Sequence, residues 1–229
     1  MSQEYIRQYK TISTDKQALD AILTEDGEDT LNKWYASHNN TSGAETIDTA
    51  KAYRGKSSIL LDTGGTTPAS GNYSQIEKNI GSISAKRIKM GMFQLFPGTR
   101  SSLQIEAYIR IIDPITGIYY KPGLVMYDDG MNGYIAYRNS GGTYTTIETI
   151  SYGFDGNNWY KLEIGVDILK EEYLYLIFGG KKYDLSGIKM EKPAIGTGES
   201  SRISVRLVTN SAAQRKTNID DIVVAALEI

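Results

Sequence analysis

Two acidic side chains stand mid-strand in this sequence, Glu106 in Leu103–Ile112 and Glu163 in Trp159–Asp167, each within an apolar and polar alternation. A pair of carboxyl groups is what glycoside hydrolysis requires, about 5 Å apart for retention and about 6.5–9.5 Å for inversion. Both acids sit beside Lys or Arg residues, the setting of surface ion pairs. His38 is the only histidine and lies in the polar run Ser-His-Asn-Asn-Thr. Without a nucleophile elbow nearby, it reads as an exposed loop histidine rather than a catalytic base. Zero cysteines exclude thiolate zinc, iron–sulfur clusters, disulfides and cysteine nucleophiles. Gly196-Thr-Gly198-Glu lacks the glycine spacing and the Lys-Ser or Lys-Thr of a phosphate loop. Asn39-Asn40-Thr41 and Asn72-Tyr73-Ser74 match the glycosylation sequon and are read as chance matches.

Two chemistries survive this elimination. The first is recognition on a strand face: period-two alternation turns Gln104, Glu106, Tyr108 and Arg110 away from Leu103, Ile105, Ala107, Ile109 and Ile111. The same rule turns Tyr173 and Tyr175 outward against Leu174, Leu176 and Phe178, and Arg206 outward against Val205 and Leu207; Tyr134 joins the outward set. Tyrosine offers a flat apolar body with a polar tip, suited to a sugar or a protein partner. An antiparallel sheet solvated on one side accounts for the same pattern without a ligand. The second is a hard cation held by oxygen alone, with Glu25, Asp26, Asp220 and Asp221 as candidate calcium ligands. No other cofactor is called for.

The 229 residues contain 23 glycines and 17 tyrosines. Short alternating runs recur about every ten residues, the pattern of an all-β sandwich or barrel. Strands are expected at 57–62, 74–80, 87–96, 103–112, 119–127, 133–139, 144–150, 159–167, 173–179, 181–185, 202–209 and 219–227, with Trp34–Ala36 opening the series. Ser13 to Leu23 differs: a Ser/Thr start with Ala18, Leu19, Ile22 and Leu23 at helical spacing predicts a short amphipathic helix. The division is therefore an N-terminal arm and helix over 1–23 and a sandwich over 24–229. Tyr5, Ile6, Tyr9, Leu19, Ile22 and Leu23 are the candidate assembly contacts, because an isolated helix of this length needs packing to be ordered.

Several segments resemble the concanavalin A-like lectin/glucanase jelly rolls. They are Thr24-Glu25-Asp26-Gly27 before Trp34, Tyr53 to Leu61, Asn158 to Ile164, Tyr173 to Leu176 and the closing Asn218 to Val224. Galactose-binding-like carbohydrate modules share these features and are the second choice. The resemblance implies a two-sheet antiparallel jelly roll often attached to sugar binding, in many members with a structural calcium. Catalytic jelly rolls of this kind carry acids spaced as Glu-x-Asp-x-x-Glu, a run this chain does not contain.

A formal charge of −2 supplies no basic excess for nucleic acid. No run of eighteen apolar residues predicts a membrane span, and Met1 to Arg7 has no apolar signal segment. The leading expectation is a non-enzymatic structural or adhesion sandwich, an exterior component of a virus or phage particle or similar assembly. It would be made in the cytoplasm, form homo-oligomers and bind glycan. The alternative is a carbohydrate-binding module of a larger secreted protein, and a glycoside hydrolase comes third.

Overall fold

The computed structural model describes residues 21–25, 31, 34–96, 102–113, 116–151, 154, 156, 158–194 and 200–227. Its strands are β1 (Ala21–Glu25), β2 (Tyr35–His38), β3 (Ala44–Asp48), β4 (Ser58–Asp62), β5 (Tyr73–Asn79), β6 (Arg87–Leu95), β7 (Leu103–Ile112) and β8 (Tyr119–Tyr120). They continue with β9 (Gly123–Asp128), β10 (Asn132–Arg138), β11 (Tyr144–Ser151), β12 (Trp159–Asp167), β13 (Glu172–Phe178), β14 (Lys181–Asp184), β15 (Arg202–Thr209) and β16 (Lys216–Ala226).

All named pairings are antiparallel, and they form two facing sheets. The first has the order β14-β13-β12-β6-β16-β4-β3, with β1 also on β16; the second has β11-β10-β9-β7-β15-β5-β2, with β8 on β7. Hairpin neighbours (β12-β13-β14, β3-β4 and β9-β10-β11) are joined by pairings of strands distant in sequence, β6 with β12 and β16, and β15 with β7 and β5, as in the jelly roll. Alternation explains how the sheets face each other. Ile88, Met90 and Met92 of β6 and Leu162, Ile164 and Val166 of β12 meet Ile105 and Ile109 of β7 and Ile203, Val205 and Leu207 of β15 in one buried core. Each such side chain contributes roughly 1.5–3 kcal/mol by leaving water.

The expected strands are present, except that the run 119–127 is divided at Lys121 and Pro122 into β8 and β9; β1 and β3 are added to them. The N-terminal expectation changes at its end. Ala21–Leu23, expected to close the helix, are extended and pair with Ala225 and Val224 of β16, so the sandwich begins inside the region assigned to the arm. Leu23 packs against the core of its own chain. Tyr5, Ile6, Tyr9 and Leu19 lie outside the described residues. His38 ends strand β2 instead of sitting in a loop, and its Nδ1 lies 3.1 Å from Glu45 Oε2.

β16 changes partners along one edge, from β4 at Lys216–Ile219 to β1 at Ile222–Ala225. Between them Asp221 takes φ +49°, a left-handed conformation that Asp tolerates better than most residues. A bulge there breaks the register with β6 between Asp220 and Val223. The buried Asp220 carboxylate ties the break down: Oδ2 accepts the Tyr53 and Arg54 N–H groups at 2.8 and 3.1 Å, and Oδ1 accepts that of Asp221 at 2.8 Å.

Candidate functional site

The outward side of the second sheet gathers the polar side chains. In β7 they are Gln104, Glu106, Tyr108 and Arg110, as the alternation predicts. Register then sets their neighbours: Arg206 lies across from Glu106, Ser204 from Tyr108 and Arg202 from Arg110. Beyond β15, Glu77 faces Ser204 and Gln75 faces Arg206. On the other flank Gly123 faces Tyr108, and Tyr127 faces Gln104. Tyr134 pairs with Tyr127, and Arg138 with Tyr144.

Tyr108 is the hub. Its hydroxyl donates to Glu77 Oε1 at 3.5 Å and accepts from Arg110 Nη2 at 3.5 Å, while Lys121 Nζ lies 4.3 Å above its ring centroid. A Cβ on Gly123 would stand 2.9 Å from Tyr108 Cβ, so glycine is what lets β9 pass this close to β7. Glu77 is shared by Arg202 at 3.3 Å and Arg110 at 3.8 Å; Glu106 is held by Gln104 at 2.5 Å and Arg206 at 3.8 Å. Arg206 also covers the Tyr73 ring at 4.2 Å. Toward β11, Arg138 grips both oxygens of Glu191 and lies 5.6 Å from the Tyr144 ring centroid.

Five cations (Arg110, Lys121, Arg138, Arg202, Arg206) thus meet three carboxylates (Glu77, Glu106, Glu191) on a chain whose net charge is −2. Burial and the like charges of Arg138 and Arg110 bring the Lys121 ammonium below the usual lysine range. Burial, then the charge of Glu106, pushes the Tyr144 phenol up, so it stays a neutral hydrogen-bonding group. Ser204 Oγ and Arg206 Nε are buried and have no hydrogen-bond partner among the described residues, the condition that water or a ligand hydroxyl relieves. At the far end Tyr127 and Tyr134 stack with centroids 4.4 Å apart, and Tyr134 donates to Asp129 at 2.7 Å.

Two expected members are elsewhere. Tyr173 points inward and is fully buried, because a bulge between Gly165 and Val166 shifts the phase of β13 against β12. Its hydroxyl crosses the sandwich, accepting the Gly123 N–H at 2.9 Å and donating to the Arg138 carbonyl at 2.7 Å. Tyr175 faces outward on the first sheet, donating to Glu163 Oε1 at 2.8 Å beneath Lys182. Gly165 leaves room for it, since a Cβ there would meet the Tyr175 ring at 2.5 Å. Glu163, ion-paired to Lys161 at 3.0 Å, is therefore on the opposite outer face from Glu106, and the two cannot act on one glycosidic bond.

Of the calcium candidates, Asp220 spends its oxygens on backbone N–H groups and Asp221 pairs with Arg54 at 3.4 Å. Asp26 and the side chain of Glu25 lie outside the described residues. Among the described residues no group of three or more His, Asp or Glu side chains is placed to hold a metal ion, and no helix is long and apolar enough to cross a membrane.

Glu77, Lys121, Arg138, Tyr144 and Tyr127 were not singled out by sequence reasoning. The alternation of β5 (Tyr73, Gln75, Glu77 against Ser74, Ile76) would have found Glu77. Nothing in sequence announces Lys121, which lies between β8 and β9.

No protein-family model matches the chain, and no curated protein matches it in sequence. Solved structures do match in fold. One is the carbohydrate esterase vb_24B_21 of the Shiga toxin-encoding bacteriophage phi24B, with TM-score 0.64 and 15% identity over 91% of this chain and 99% of that one. The cellulose-induced protein Cip1 gives 0.56 and 14%, over 90% and 98%. The carbohydrate recognition domain of Emp47p gives 0.54 and 13%, over 90% and 93%. At these identities the likeness is one of fold alone, the two-sheet antiparallel jelly-roll β-sandwich.

Proposed function

We propose that the protein binds glycan on the open face of its second sheet and acts without catalysis, as an exterior component of a virus or phage particle or a similar surface assembly. The observation that carries glycan binding is that face itself: tyrosine rings, arginines and carboxamides lie side by side on rigid strands, with buried Ser204 Oγ and Arg206 Nε still to be satisfied. Sugars need such a mixture of flat apolar surface and fixed hydrogen-bonding groups. The names of fold relatives, a carbohydrate recognition domain and a carbohydrate esterase, support the glycan-binding part of the reading. Non-catalytic action is favoured because the carboxylates of this face are committed to ion pairs: Glu77 and Glu106 are each engaged by arginines.

The test is a glycan array followed by titration calorimetry of the hits. Saturable binding that leaves the oligosaccharide intact is expected, weakened at least tenfold by Tyr108→Ala. A folded protein that binds no saccharide, or one that cleaves its ligand, overturns the reading. Electron microscopy and mass measurement of the natively purified assembly test the particle role. A monomer that binds glycan would point instead to a carbohydrate-binding module of a larger secreted protein.

A further inference from the structure

We propose that Lys121, Arg110 and Arg138, with Tyr108 and Tyr144, form a subsite for the anionic substituent, carboxylate or sulfate, of an acidic glycan. The inference rests on the glycan-binding reading and narrows its ligand class.

Two cations bear on one ring: Lys121 Nζ stands 4.3 Å and Arg110 Cζ 5.5 Å from the Tyr108 centroid. Arg138 of β10 closes the group through Glu191, which holds its guanidinium and whose carbonyl accepts the Lys121 N–H at 3.1 Å. Arg110 and Arg138 each have a carboxylate, Glu77 and Glu191. Lys121 forms no ion pair among the described residues. Its ammonium is half-buried against the Tyr108 ring, where burial and then the charges of Arg138 and Arg110 lower its pKa against the weaker opposing pull of Glu191 and Glu106. Crowding like charges in a partly desolvated place destabilises the site when empty, and an anion bound between them removes that repulsion. Arg138 has its Nε and Nη2 on Glu191 and Arg110 its Nη2 beside Glu77 and Tyr108, so the arginines supply positive charge beside the site and Lys121 supplies the open donor. Tyr144, kept neutral, can donate a hydrogen bond to the same anion or stack on the sugar ring.

The backbone beneath is fixed. Lys121 N–H donates to the Glu191 carbonyl at 3.1 Å, tying the lysine to the residue that holds Arg138. Tyr173 braces Gly123 and Arg138 from the core side. The group is thus built on strands, and little ordering should be required when an anion arrives.

The experiment compares matched saccharides that differ in charge: oligogalacturonate against its methyl ester, and a sulfated galactan oligomer against its desulfated form. Binding at least tenfold tighter to one charged member than to its neutral partner is expected, with the advantage shrinking as salt is raised. The pair that shows it identifies carboxylate or sulfate as the substituent. Lys121→Met should reduce the charged-to-neutral ratio to near one, and Lys121→Arg should retain it; melting curves check that both variants are folded. Equal binding of charged and neutral members, or a ratio unchanged in Lys121→Met, overturns the subsite while glycan binding stands. If no saccharide of either kind binds, here or on the array, both fall.

Discussion

Replacing Tyr173 by Phe removes one oxygen atom from the middle of the sandwich, and its consequence can be worked from the hydrogen bonds. The hydroxyl accepts the Gly123 N–H and donates to the Arg138 carbonyl, at 2.9 and 2.7 Å. Phenylalanine fills nearly the same volume but leaves both backbone groups without that partner in a fully buried place. An unsatisfied buried polar group costs about 1–3 kcal/mol, and partial relaxation of β9 and β10 brings the combined loss to roughly 2–4 kcal/mol. For a chain of this size about 2–4 °C is lost per kcal/mol, so the melting temperature should fall by about 5–15 °C. Calorimetry and urea titration measure it, with the urea midpoint falling at an unchanged slope. Tyr134→Phe, which removes a hydroxyl bonded to exposed Asp129, is the control and should stay within about 0.5 kcal/mol. A Tyr173→Phe melting temperature within about 1 °C of the parent would refute the claim that this phenol ties the two sheets together.

Gly123→Ala places a Cβ 2.9 Å from that of Tyr108; it should cost about 1–3 kcal/mol by overpacking and weaken glycan binding at least tenfold, as calorimetry would show. Asp220→Asn gives up one carboxylate oxygen from a set of three backbone N–H acceptances, and a loss of about 1–3 kcal/mol in urea unfolding is expected. Deleting residues 1–20 spares β1 and should leave a cooperative unfolding transition; deleting 1–25 strips β1 from β16 and should lower the melting temperature or cause aggregation, and light scattering of the shorter deletion tests the arm's part in assembly. Burial, then Glu171, pushes the Tyr120 phenol up from 10.0 to about 12; above pH 10 the unfolded chain ionises first and binds fewer protons, so this contribution to stability is whole below pH 10 and lost as pH rises through about 12. Urea midpoints measured from about pH 9 to about pH 12 should show that fall.

How much of this was legible in sequence depends on the range of the interaction involved. Alternation is a local property, and β7, β12 and β15 are present with the bounds it predicts, their apolar sides in the core. β3 (Ala44–Asp48) went unread because its edge position leaves it without a strong apolar side. At the N-terminus, Ala21–Leu23 carry apolar residues that fit helical spacing equally well. Pairing with β16 decides for the strand, and that partner lies some two hundred residues away in sequence. The same limit applies at β13, where one bulge against β12 turned Tyr173 from the surface to the core and no feature of Glu172–Phe178 alone records it.

The sequence by itself determined the class of fold. Period-two patterning specifies which side chains leave the core along most strands, and the absence of cysteine removes disulfides and thiolate chemistry. Tertiary structure alone decided which outward residues share a face. It put Glu163 and Tyr175 on one side of the sandwich and Glu106, Tyr108 and Arg206 on the other, and it brought Lys121 and Arg138 to Tyr108. The physical reason is that strand order and register arise from long-range pairing and from core packing between sheets. A strand's own residues say which of its sides faces water, not which strands will stand beside it there.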